Sequence, residues 1–313
     1  MIYLILTIVY FAVMLLYFRI ADRYNIIDRP NERSSHTEVT IRGGGIIFLF
    51  AALTVLMLHP EFWMPVLGLF IIGTISFIDD RITLSGKVRI IFHLAAVTLM
   101  FLFLGTFPAF PWWISIALYI LVIGIINAYN FMDGINGITG LYSLVVLGGL
   151  QYVNYHITEF IEPDMIWFPI LACIVFLFFN FRKRARCFAG DVGSVTIAFW
   201  IIFLLLKLMT VSGNYAYILF LGVYGVDAVL TIIHRLGLKQ NIFDAHRLHF
   251  YQILANEQKW SHLLVSTLYA LVQLGIIVAV VFLPLSFVSV FFITICPLVA
   301  IYVLIKPRIM TQK

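Results

Sequence analysis

The chain has 313 residues, 63% of them hydrophobic and only 11% charged, with a mean hydropathy of +1.04. Soluble domains carry about 25% charged residues, and a water-facing surface needs them however large the core beneath it. This composition therefore excludes the soluble globular class and fits a polytopic membrane protein. The net charge is +5, and the three cysteines, Cys173, Cys187 and Cys296, are scattered among apolar residues, suggesting neither a disulfide framework nor a zinc–thiolate site.

No composition break, low-complexity stretch or internal repeat divides the chain, which reads as one domain over 1–313. A membrane-crossing helix needs about 20 apolar residues. The first 18 residues are uncharged and lack the basic region and small-residue cleavage site of a secretory signal, so 2–19 is read as the first span. Further spans are expected at about 43–60, 62–79, 88–105, 111–129, 137–155, 164–181, 192–211, 215–233, 262–283 and 285–305. The expected fold is an all-α bundle of about eleven transmembrane helices. Alternating the loops puts 20–42, 79–87, 128–136, 182–191, 234–261 and the C-terminal tail on one side. By this count 19 of the 20 Lys and Arg residues fall on that side, Lys207 being the exception. The positive-inside rule makes it cytoplasmic, with the N-terminus outside. The opposite side has short loops with Glu61, Glu159 and Glu162, and nothing there reads as a binding site. The basic face admits two readings, topology alone or a surface for anionic lipids and phosphates.

The unusual polar clusters all fall in these basic loops. Asn31, Arg33, Ser34, Ser35, His36, Thr40 and Arg42 precede the glycine triplet 43–45. That triplet is either a phosphate nest or a close helix–helix contact. Asp79 and Asp80 end the span at 62–79, with Arg81, Lys87 and Arg89 following. Adjacent carboxylates repel each other, so they mark either a solvated helix end or a metal or proton-transfer site. The segment 127–140, NAYNFMDGINGITG, puts Asn127 and Asn130 on one helical face, followed by Asp133, Gly134, Asn136 and Gly137. It suits a capped helix–turn–helix as well as a backbone cradle for an anion. In FRKRARCFAGDVGS, 181–194, four basic residues precede Asp191 at the start of a span. Asp191 or Ser194 caps that helix, or Asp191 holds Mg²⁺ beside a diphosphate. In NIFDAHRLHFYQIL, 241–254, His246 and His249 flank Arg247. No third soft ligand accompanies them, which favours anion binding over zinc. Asp227 lies within the span at 215–233, where an ionisable residue is functional by default or pairs structurally with a cation. Oxygen ligands without thiolates favour Mg²⁺, or Mn²⁺ in its place, and a metal with basic groups is equipment for phosphoryl transfer.

In this order, FIDD, NAYNFMDGINGITG, FAGDVGS and HRLHFYQ resemble the motifs of the polyprenyl-phosphate N-acetylhexosamine-1-phosphate transferase family. PNERSSH…RGGG is similar to the branch that initiates O-antigen and other bacterial surface polysaccharides. The resemblance implies transfer of an N-acetyl-aminosugar 1-phosphate from a UDP-sugar to undecaprenyl phosphate, releasing UMP, at the cytoplasmic membrane. It implies Asp191 as principal Mg²⁺ ligand, with Asp79 and Asp80 as catalytic and metal-binding carboxylates that position or deprotonate the acceptor phosphate. It further implies Asn127, Asn130, Asp133 and Asn136 at the nucleotide and diphosphate, and His246, Arg247 and His249 at the diphosphate or sugar. Lys87 and Arg89 would hold phosphate, and Thr40, Arg42 and His36 complete the substrate-binding set. Where many relatives carry a second Asp in the DG-x-D-G turn, this chain has Asn136, which affects base contact. Membrane lipids and a second copy of the chain are the remaining partners considered, and no nucleic acid is called for. A multi-spanning transporter of a phosphorylated lipid or sugar is the competing class, but it would show repeats and midplane polarity. A CDP-alcohol phosphotransferase would require DG-x₂-AR, and Ile135-Asn136-Gly137-Ile138 follows Asp133-Gly134 instead.

Overall fold

The computed structural model describes residues 1–28, 39–241 and 247–310. Each apolar segment is helical. In chain order the helices are α1 (Ile2–Arg23), α2 (Ile47–Leu58), α3 (Trp63–Arg81), α4 (Gly86–Leu104), the single-turn α5 (Thr106–Ala109), α6 (Trp112–Phe131) and α7 (Ile138–His156). They continue as α8 (Asp164–Asn180), α9 (Gly190–Ser212), α10 (Gly222–Gly237), the short α11 (Phe250–Gln252), α12 (His262–Phe282) and α13 (Phe287–Ile309). Eight helical stretches among the described residues are long and apolar enough to cross a membrane, so this is an integral membrane protein. Gly44–Leu58 and Asp164–Asn180 are shorter. At 1.5 Å per residue they reach roughly 22–26 Å, less than the ~30 Å hydrocarbon core.

Local chemistry sets the helix ends. Ser85, Ser261 and Ser286 cap α4, α12 and α13 by accepting the N–H three residues on. Gly105 and Gly213 stop α4 and α9 in the left-handed region, at φ 67° each. α9 is apolar all round and almost wholly buried, the pattern of a central helix. α13 is equally apolar and mostly exposed, as lipid-facing helices are. The entry to α10 is broken, because Tyr215–Leu221 is 3₁₀ before the α-helix starts. Buried Gln273 of α12 repairs the break, accepting from the Val223 N–H (3.1 Å) and donating to the Leu219 carbonyl (3.0 Å). In a membrane such freed backbone groups need protein partners. Three tyrosines lie nearby. Tyr142 stacks on Tyr224 with ring centroids 3.6 Å apart, and Tyr129 meets Tyr224 edge-on at 4.9 Å.

The helix ends bearing the polar motifs gather at one end of the bundle. There β1 (Ile27–Asp28) pairs antiparallel with β2 (Thr40–Ile41), and Ile41 bridges to Cys187. The opposite end has its own polar knot. Asp164 at the start of α8 accepts from Tyr3 of α1 (2.7 Å) and meets His59, between α2 and α3, at 2.9 Å. These contacts pin three helices together.

Candidate active site

The glycine triplet organises the site. The N–H groups of Gly44 and Gly45 donate to the carbonyls of Phe188 (2.8 Å) and Ala189 (3.0 Å). A Cβ on Gly45 would stand 2.0 Å from the Gly193 Cα, so backbone lies directly on backbone. Of the two readings open for the triplet, the structure shows the close contact. Its consequence is to hold Arg42, the preceding residue, beside the start of α9.

There Arg42 Nη2 lies 2.7 Å from Asp80 Oδ1 and 3.8 Å from Asp191 Oδ1. Asp80 comes from the last turn of α3. Its Oδ1 also accepts the Asp191 N–H (3.1 Å) and its Oδ2 the Val192 N–H (3.2 Å). A carboxylate from one helix thus satisfies the orphan donors of another, at the end where the helix dipole favours negative charge. Burial opposes the charge on Arg42, but Asp80, then Asp191 and Asp28, more than offset this and hold its pKa above the ordinary value.

Asp79 points elsewhere. It accepts the Leu84 N–H (2.6 Å) and meets Arg89 of α4 at 3.2 Å. Lys87 is exposed on the first turn of α4. The expected metal pair Asp79–Asp80 is therefore divided: each carboxylate has its own protein donors, and they face different helices. Asp191 differs from both. Its side chain is 26% exposed against 1% for Asp80, and it accepts no hydrogen bond from any described residue. Of the three carboxylates it has the most room for a ligand.

The end of α6 closes on the same point. Asn130 Oδ1 accepts from Ser194 Oγ (2.6 Å), one turn along α9 from Asp191, and Ser194 also reaches the Gly190 carbonyl (3.2 Å). Ser194 is therefore a link to Asn130 and not the cap of α9. Asn127, half-buried, precedes Asn130 by a turn. Asp133 accepts from Thr139 Oγ1 (2.6 Å). Burial, aided by Asp80, pushes its pKa up to about 6, against the opposing effects of Thr139 and Arg42. Asn136 is buried, donating to the Arg182 carbonyl (2.8 Å) while its own carbonyl accepts from Ser266 (2.8 Å). It ties three segments together, so its amide N–H₂ is already occupied by protein.

The histidine motif lies against α6 and α10. The His249 ring is 6.3 Å from that of Phe131, and Tyr251 Oη donates to the Phe131 carbonyl (2.9 Å). Arg247 is half-buried and Thr40, in β2, is buried. His36 and His246 lie outside the described residues. Sequence reasoning missed Tyr269, which reaches Asp227 from the middle of α12 at 2.7 Å. Its one signal is a tyrosine with a polar tip inside a largely apolar run.

The model of glycosyl transferase family 4 matches residues 62–209, which include Asp79, Asp80, Asn130, Asp133 and Asp191. Over that segment, just under half of its length, the chain resembles glycosyl transferase family 4. It is 29% identical over 257 residues to a probable undecaprenyl-phosphate N-acetylglucosaminyl 1-phosphate transferase of Bacillus subtilis, covering 75% of this chain and 71% of that protein. It is 27% identical over 228 residues to the undecaprenyl-phosphate α-N-acetylglucosaminyl 1-phosphate transferase of Escherichia coli K12, covering 65% and 61%. A phospho-N-acetylmuramoyl-pentapeptide-transferase of Thermotoga maritima is 26% identical over 179 residues, covering 52% and 58%. The chain thus matches between 58% and 71% of the length of these relatives. The family 4 match ends before the histidine motif and begins after Arg42, two parts that join the site only through the contacts above.

Proposed function

We propose that this chain transfers an N-acetyl-aminosugar 1-phosphate from a UDP-sugar to undecaprenyl phosphate, giving undecaprenyl-diphosphate-sugar and UMP and initiating a cell-surface polysaccharide. An oxygen of the acceptor phosphate bonds to the β-phosphorus of the donor, and the bond from that phosphorus to the UMP oxygen breaks. In this reading the site end faces the cytoplasm across a bacterial inner membrane, since 19 of the 20 Lys and Arg residues fall on the side of the sequence's expected loops that carries the site motifs. The relatives' printed functions support the acceptor and the sugar phosphate.

One observation carries the reading: Asp191 offers a carboxylate with no hydrogen bond from a described residue, at a helix N-terminus, beside Arg42 and the saturated Asp80. Asp191, with the Asn130–Ser194 pair one turn along, would hold Mg²⁺, or Mn²⁺ in its place, because these donors are all oxygen. When bound, such an ion supplies charge neutralisation for the approaching phosphates. The protein's own residues do the rest. Asp80 holds Arg42 and the start of α9 in place. Arg42 presents a guanidinium to the diphosphate. Arg89 and Lys87 attract the acceptor phosphate. Asp133, with a pKa of about 6, is matched to the second ionisation of a phosphate monoester and exchanges a proton with it near neutrality. His249 and Arg247 bind the donor diphosphate or sugar.

The test is transfer of radiolabel from UDP-[³H]GlcNAc, and from a panel of other UDP-aminosugars, to undecaprenyl phosphate by the purified full chain. Labelled lipid with release of UMP is expected, only with Mg²⁺ or Mn²⁺. Full activity in EDTA would remove the metal from the proposal. No labelled lipid from any donor would remove the reaction.

A further inference from the structure

Asp227 is buried in α10 and stands apart from the Arg42–Asp80–Asp191 knot. Five groups converge on it. It accepts the N–H of Phe250 (2.9 Å) and of Tyr251 (3.3 Å), the hydroxyl of Tyr269 (2.7 Å) and the hydroxyl of Thr231 (3.2 Å). His249 Nδ1 lies 3.4 Å from its Oδ1. An ionised carboxylate has about four acceptor positions, so this one is fully engaged without any substrate. Two of its donors are the first N–H groups of α11, and His249 is the residue just before that helix. The carboxylate thus grips the ring and the backbone of the histidine motif together.

The grip extends to the last helix. Tyr302 of α13 shares a hydrogen bond with Thr231 (2.6 Å), and buried Lys306, one turn further on, donates to the Tyr302 hydroxyl. Lys306 places a positive charge near the buried anion. Gln258 adds a second tie, donating to the Ile309 carbonyl (2.7 Å). On its other side His249 meets Phe131, the neighbour of Asn130.

We propose that Asp227 is the positioning residue for His249: its carboxylate lies against the Nδ1 side of the buried imidazole and holds the start of α11, so that the histidine motif is set against the end of α6, where the donor substrate is proposed to bind. Asp227 acts through His249 and touches no substrate. The inference rests on the proposed sugar-phosphate transfer and adds to it how the histidine is held. A carboxylate on one imidazole nitrogen fixes the tautomer and the orientation of the other.

A double-mutant cycle on the purified full chain tests this, with kcat and KM measured for UDP-GlcNAc and for undecaprenyl phosphate. Asp227→Asn is expected to lower kcat about 10- to 100-fold, the range for partners that orient an imidazole from behind. KM for the lipid should stay within about threefold. In a His249→Gln background the same substitution should add less than about threefold, because residues acting as a unit are not additive. Losses that multiply across the cycle overturn the proposal, and so does wild-type turnover in His249→Gln. If Asp227→Asn does not fold, Tyr269→Phe replaces it, since it removes one hydrogen bond and leaves the carboxylate. That variant should slow the wild type several-fold and the His249→Gln enzyme not at all. Absence of transfer by the wild type counts against the proposed reaction. A multiplicative cycle in an active enzyme counts against Asp227 alone.

Discussion

Asp79 and Asp80 are neighbours in sequence, yet the structure requires that they respond differently to neutralisation. Asp80→Asn keeps the shape but removes the charge opposite Arg42 and turns one oxygen into a donor. With the amide oxygen kept at the Arg42 side, the new N–H₂ faces the Val192 N–H, donor against donor. A hydrogen bond to a charged group contributes about 1.5–3 kcal/mol, and an unsatisfied buried donor costs about 1–3 kcal/mol. Arg42 is about a third exposed, so water recovers part of the loss. A net cost near 3 kcal/mol corresponds to roughly a hundredfold in rate if it falls on the active arrangement. Asp79→Asn weakens a contact to Arg89, whose side chain is 48% exposed. Exposed pairs contribute about 0.2–1 kcal/mol, so less than about a tenfold change follows. The assay is the initial rate of sugar-phosphate transfer for both variants, with thermal unfolding in detergent as control. Equal losses for the two variants, or an Asp80→Asn enzyme within threefold of wild type, would refute the division of roles.

Other substitutions separate packing from chemistry. Gly45→Ala drives a methyl into the Gly193 backbone and should lower both folded yield and activity, while Gly86→Ala, with nothing within 4 Å, leaves both near wild type. Size-exclusion yield and turnover check the pair. Asp191→Asn should abolish transfer while the protein still folds in EDTA, because no described residue donates a hydrogen bond to that carboxylate and its ion pair with Arg42 is long (3.8 Å), and it should erase any stabilisation by Mg²⁺. Acidity gives a further check. Asp133 has a folded pKa of about 6, above the ~3.9 of an unfolded Asp. The folded state therefore binds its proton more tightly, and the contribution of Asp133 to the stability of the metal-free protein falls as pH rises from about 4 through 6 and then levels off. Asp133→Asn should flatten that slope in thermal unfolding across the same window, and an unchanged slope would place the titration elsewhere.

Much of this molecule is legible along the chain because the membrane imposes a one-dimensional rule. Apolar runs of helical length, with basic residues in alternate loops, follow from desolvation costs that each residue bears locally. The end of the bundle that carries the site, and the grouping of Asp80, Asn130, Asp133 and Asp191 there, were visible on that basis. The helix ends also followed local signals, as Ser85, Ser261, Gly105 and Gly213 illustrate.

Tertiary structure decided what each polar residue meets. Successive residues on a helix point about 100° apart, so the FIDD motif could not say which carboxylate turns toward α9 and which toward α4. Gly43 to Gly45 were equally suited to an anion or to another backbone until Gly193 came into contact. Asn136 looked like a substrate contact, yet its amide is engaged by a carbonyl 46 residues away. Asp227 is held by groups as far along the chain as Tyr269, a pairing that no local pattern encodes. Local solvation chose the membrane, the helices and the end that carries the chemistry. Long-range packing chose Asp191 as the open carboxylate, because only the folded bundle brings other donors to its neighbours and leaves it without them.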